Sequence, residues 1–145
     1  MDADQVEKTA QALFDEGWLC AESVLLAVAQ QAGIDSALIP QIATGFCSGV
    51  SRTKGMCGAV SGGIMALGIV LGRATPDLPP DRIYDRVRQF LSSFETRHGS
   101  LNCFELTGLD FLTAEGREQF KRAGLRDKCR EFTGHAARRV AEIIY

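Results

Sequence analysis

Eight of the chain's fifteen glycines fall between Gly45 and Gly72, and no charged residue occurs between Lys54 and Arg73. A segment so poor in side-chain volume and charge has little with which to hold itself together, and it suits a site where neighbouring backbones approach closely. Ala59 to Leu71 therefore reads as a buried central helix with small residues on one face, and Gly45 to Gly55 as the loop that leads into it. The uncharged length touches the lower limit for a membrane span. Six glycines and Ser61 leave its apolar content thin, so a buried core helix accounts for it better.

Helical spacing recurs on both sides of this segment. Val6, Ala10, Leu13 and Phe14 form an apolar stripe that Gly17 is placed to end. Cys20 to Gln31 is rich in helix formers and closed by Gly33, and Ser36 to Ala43 reads as a shorter helix interrupted by Pro40. After the proline-rich connector Thr75 to Pro80, the stripe Ile83, Val87, Phe90, Leu91 and Phe94 marks the clearest amphipathic helix. Asn102 and Glu105 resemble a capping box for a short helix ended by Gly108, and Thr113 to Ala123 reads as another helix. Asp127 is placed to cap a last helix with the stripe Phe132, Ala136, Val140, Ile143 and Ile144. No strand-length alternation intervenes. The expected fold is all-α, one domain over residues 1–145, a bundle of about six or seven helices of ordinary length around the glycine-rich one.

At 145 residues with 46% hydrophobic side chains, the chain is long enough for one substantial core. Its formal charge of −2 supplies no broad field for nucleic acid or anionic lipid, so neither is expected as a partner. The first residues, Met1 to Glu7, are acidic and polar where a secretory signal is basic and then apolar, which points to the cytoplasm. Five cysteines in a reducing compartment suit ligands, reactive thiols or packing better than permanent disulfides, and an odd count leaves one unpaired.

Four of these cysteines fall at or near expected helix starts: Cys20, Cys57, Cys103 and Cys129. Helix N-termini expose unpaired N–H groups and a partial positive charge, which favour the thiolate, the nucleophilic and metal-binding form. If those helix ends meet, the four sulfurs lie together. Cys57 is the favoured nucleophile, because Arg52 and Lys54 precede it and a helix begins behind it; Arg52 is a candidate stabiliser of an anion or thiolate. The loop from Gly49 to Gly55 could also form an anion-binding nest, although it lacks the phosphate-loop pattern. There is no C-x-x-C, no ferredoxin run and no C-x-x-C-H, so no spacing specifies zinc, an iron–sulfur cluster or covalent haem. His98 and His135 fit surface or helix-end positions better than ligation.

The order Cys20, then Cys57-Gly58-Ala59-Val60-Ser61-Gly62, then Cys103 and Cys129 resembles the redox-active family named for its Cys, GCAxxG-type, Cys, Cys pattern. Ala43-Thr44-Gly45-Phe46, Arg52 with Gly55, and Cys103 to Gly108 extend the resemblance nearly end to end. It implies a small bacterial or archaeal protein whose four matching cysteines are redox-active or cofactor-binding. The domain plan is also similar to that of split-Soret cytochromes, without their covalent haem signal. Cys47 departs from the pattern, where a glycine is expected; it reads as an accessory thiol or an incidental one, and is expected to be dispensable.

Three readings share these residues. The first is a thiol–disulfide oxidoreductase or electron carrier using Cys20, Cys57, Cys103 and Cys129 with a redox partner protein. In the second, the same four thiolates hold an iron–sulfur cluster or a soft metal such as zinc or copper(I). The third is a helical interaction module, a homodimer through the small-residue helix face.

Overall fold

The computed structural model describes residues 1–144, and among them all regular structure is helical apart from an isolated bridge between Met56 and Asn102. Eight α-helical elements and one 3-10 helix follow in order: α1 Ala3–Glu16, α2 Cys20–Gln31, the 3-10 helix η1 Gln41–Phe46, α3 Cys47–Arg52, α4 Gly58–Leu71, α5 Asp81–His98, α6 Cys103–Thr107, α7 Ala114–Arg122 and α8 Arg126–Ile144. The all-α expectation holds. The count exceeds six or seven because the segment read as a loop, Gly45 to Gly55, contains α3, whose residues Ser48 to Ser51 have left-handed rather than α-helical backbone.

Local chemistry sets most boundaries. Asp2 caps α1 by accepting from the Asp4 and Gln5 N–H groups, and Gly17 closes it in the left-handed region at φ 116°. Asn102 caps α6 through the Glu105 N–H, and Thr113 caps α7 through that of Gly116. Three sequence expectations are corrected. The carboxylate of Glu105 bonds the Ser100 hydroxyl at 2.6 Å, and Ser100 in turn accepts the Asn102 N–H, so the expected box closes through a third residue. Residues 37–40 form a turn, and regular structure starts only after Pro40, which stands as the cap residue before η1. Asp127 lies inside the first turn of α8, where a carboxylate favours the helix dipole without acting as the cap.

The core is built where α1, α2, α4 and α8 meet, with α5 laid across α4 and α8. Glycines allow this closeness on α4. A methyl group on Gly62 would stand 2.7 Å from the Ala21 carbonyl oxygen and 2.8 Å from its Cα, and one on Gly63 would enter the Phe90 ring. Burial is concentrated in the first half of the helix, from Gly58 to Gly63 with Ala66 and Leu67; Ile69, Val70 and Leu71 are half-buried. Because backbone cannot retreat as a flexible side chain does, Gly62→Ala is expected to destabilise by about 1–3 kcal/mol, despite alanine's gain of about 1 kcal/mol in helix propensity. Urea unfolding midpoints check this. An unchanged or higher midpoint would mean that α2 and α4 are not held together at this contact.

Candidate functional site

Cys20, Cys57, Cys103 and Cys129 all line one cavity of about 320 Å³, while Cys47 does not reach it. Cys20 is the first residue of α2, Cys57 the residue before α4, Cys103 the first of α6, and Cys129 lies in the first turn of α8. Cys57 and Cys103 are buried; Cys20 and Cys129 are partly exposed. All five are free thiols.

The backbone fixes each sulfur. The Cys57 N–H donates to the Leu101 carbonyl at 2.8 Å, and the Cys103 N–H to that of Gly55 at 2.9 Å, on either side of the bridged residues Met56 and Asn102. In such an antiparallel arrangement Cys57 and Cys103 are diagonal neighbours on one face. Cys20 is set by the Glu22 carboxylate, which accepts the Leu19 N–H at 2.9 Å and the Thr44 hydroxyl at 2.6 Å, joining the start of α2 to η1. Its sulfur rests on Gly58, where a methyl group would stand 2.2 Å from it. The glycine after Cys57 is thus required by Cys20.

A second glycine contact comes from α3. Ser48, Gly49, Val50 and Ser51 have φ between 57° and 66°, and Arg52 and Lys54 have φ 67° and 62°. This is a left-handed turn made largely of residues that disfavour it, at roughly 1–2 kcal/mol each. Thr53 helps hold it through its hydroxyl bond to the Val50 carbonyl at 2.7 Å, as does Ser51 to that of Gly45, also 2.7 Å. The turn brings Gly49 so near Cys103 that a methyl group would stand 2.7 Å from its Cβ. Strain of this kind concentrates at functional sites.

The rest of the wall was only partly legible. Arg52 lines the cavity, whereas Lys54 is turned to Asp110 at 3.6 Å and to the Phe104 ring. Arg117, Lys121 and Arg126 join Arg52, with Phe14, Trp18, Phe111, Phe120 and Phe132 as the aromatic lining. Among the described residues no carboxylate lines it. The clue available in sequence was Arg126, three residues before Cys129; Arg117 and Lys121 carry no such mark.

Electrostatics reverse one expectation. Burial pushes the Cys57 thiol up to about 12, and the facing Cys103 and Cys129 add to the rise; the Ala59 and Val60 N–H groups at the helix start pull the other way but lose. Cys129 is likewise pushed up to about 12 by burial and by Cys103, against the pull of Arg126 and Lys128. Burial also raises Cys103, opposed by the Thr107 hydroxyl. Desolvation thus defeats helix-start placement at Cys57, and the basic loop does not rescue it. Folding therefore favours the neutral thiols. Their contribution is fully present below the unfolded thiol value and is lost as pH rises from there through about 12. In the reduced protein Cys57 is expected to resist iodoacetamide near neutral pH and to react about tenfold faster per unit of added alkalinity, as peptide mass spectrometry across a pH series would read. Ready alkylation at pH 7 would restore the activated nucleophile.

The described residues contain no group of three or more Cys, His, Asp or Glu side chains arranged to hold a metal ion. His98 and His135 stack on each other elsewhere, between α5 and α8, with ring nitrogens 3.3 Å apart. Burial, then His135 and Arg97, lower His98 to about 4. No helix among the described residues is long and apolar enough to cross a membrane.

Comparison with curated proteins and with solved structures returns no match. Comparison with protein families matches residues 18–143 to the one described as "Putative redox-active protein (C_GCAxxG_C_C)". That span contains all four cavity-lining cysteines, the Cys57 to Gly62 motif and the strained turn, and the chain belongs to the C_GCAxxG_C_C redox-active family.

Proposed function

We propose that the protein is a cytoplasmic thiol–disulfide redox protein whose central pair is Cys57 and Cys103. The observation that carries this reading is their position on either side of the Met56–Asn102 bridge, in the lining of a cavity that two further thiols share. Diagonal neighbours of this kind have Cα atoms about 7–8 Å apart, and a disulfide needs about 4.4–6.8 Å. Closing the bond thus takes an approach of roughly an ångström, and the adjoining α3 turn is the segment whose strain can yield to it. In the oxidation, the two thiols lose two electrons and two protons while a partner disulfide is reduced to two thiols. Four cations and no carboxylate on the wall suit an anionic thiol or disulfide of small size.

Soft-metal binding by Cys20, Cys57, Cys103 and Cys129 is the second reading. The mutual influence of Cys57, Cys103 and Cys129 favours it, since three thiolates brought together repel unless a cation compensates them. It requires the side chains to close around the ion.

The test is equilibration with oxidised and reduced dithiothreitol in varied ratio, followed by alkylation and tryptic digestion. The peptides Gly55–Arg73 and His98–Arg117, which carry Cys57 and Cys103, should lose their label together and become joined. Full labelling of both at every ratio, in protein that remains folded, would refute the pair.

A further inference from the structure

Cys47 stands outside the family's cysteine pattern and outside the cavity wall, and it is 3% exposed. Its surroundings are not those of a packing residue alone. The sulfur donates to the Ala43 carbonyl at 3.6 Å, and it is near enough to the first turn of α2 for the Cys20 thiol and the Glu22 and Ala21 N–H groups to act on it. Cys20 opens onto the cavity and is partly exposed. The order from solvent inward is therefore cavity, Cys20, Cys47. The Glu22 to Thr44 bond clamps η1, which ends just before Cys47, to the start of α2, where Cys20 sits.

We propose that Cys47 is the resolving thiol for Cys20: Cys20 takes up an incoming disulfide from the cavity, and Cys47 closes the bond from behind. This rests on the thiol–disulfide reading above and adds a second pair to it. In the first step the Cys20 thiolate attacks one sulfur of the incoming disulfide, forming a mixed disulfide and expelling a thiolate. In the second, the Cys47 thiolate attacks the Cys20 sulfur, forming the Cys20–Cys47 bond and expelling the other thiolate. Two protein thiols are oxidised, one disulfide is reduced, and the two protons pass to the expelled thiolates.

Burial gives these steps an order. Cys47 is closed off from the cavity, so a disulfide entering there meets Cys20 first, and Cys47 acts only on the sulfur that Cys20 brings to it. The Glu22 to Thr44 bond keeps the two segments together meanwhile.

Glutathione disulfide is the probe. No Lys or Arg lies between Lys8 and Arg52, so the tryptic peptide Thr9–Arg52 carries Cys20 and Cys47 and no other cysteine. Reduced wild-type protein treated with glutathione disulfide, quenched in acid, alkylated and digested should yield this peptide with both alkylation sites lost and no glutathione attached. In Cys47→Ala, glutathione should instead remain on Cys20. Glutathione accumulating on Cys20 of the wild type would overturn the proposal, as would a Thr9–Arg52 peptide joined to Gly55–Arg73, or one left fully alkylated. The wild-type result stands alone should the variant fold poorly. The Cys57–Cys103 pair is read on other peptides, so either pair can fail while the other stands.

Discussion

Replacing Phe90 by alanine is expected to remove about 3–5 kcal/mol of stability, a fall of roughly 10 °C or more in the thermal midpoint for a chain of this size. Phe90 is fully buried and is the largest side chain of the core to be so. Its ring occupies the space left by Gly63 on α4, where a methyl group would stand 2.3 Å from its Cζ. On its other side it reaches Phe94, with ring centroids 6.4 Å apart. Glycine has no side chain with which to refill the void, and the backbone of α4 is held by Ala21 on α2. Alanine is an excellent helix former, so no loss of helix propensity contributes to the effect. A midpoint within 2–3 °C of wild type, equivalent to about 1 kcal/mol, would show that α5 is not anchored through this ring.

The second large effect is all-or-none. Cys103→Ala should abolish oxidation of Cys57 by oxidised dithiothreitol, whereas Cys129→Ala should leave it intact, as alkylation of the Gly55–Arg73 peptide would report. Cys57 and Cys103 each adjoin the Met56–Asn102 bridge, while Cys129 is carried by α8. The comparison also separates the two functional readings. A metal held by all the thiols should be weakened by either substitution, since each removes one ligand. Equal loss in Cys103→Ala and Cys129→Ala would contradict a dedicated pair.

Much of the scaffold was legible because it is written in local chemistry. The Cys20 to Gln31 helix follows from its helix formers and Gly33, the α5 stripe from its 3.6-residue period, and the close of α1 from Gly17. Four of the cysteines could be placed at helix starts from sequence, and all four line one cavity, although no three of them stand together as a metal-holding group among the described residues. What escaped was set by long-range contacts. Ser48, Val50, Ser51 and Arg52 do not favour left-handed backbone, so nothing local announces the α3 turn; its reason is the approach of Gly49 to Cys103. In sequence Cys47 is marked only as a departure from the family pattern, because its burial and its bond to the Ala43 carbonyl are set by how η1 and α2 pack. The acidity expected of Cys57 failed because sequence shows the helix start and the nearby cations but not the depth of burial.

The most direct test is a crystal structure of protein purified without chelators and then fully oxidised with oxidised dithiothreitol. Continuous density between the Cys57 and Cys103 sulfurs, with Cys129 left as a free thiol beside them, is the predicted result. An ion or cluster held jointly by Cys57, Cys103 and Cys129, or three free thiols in the oxidised crystal, would contradict the account.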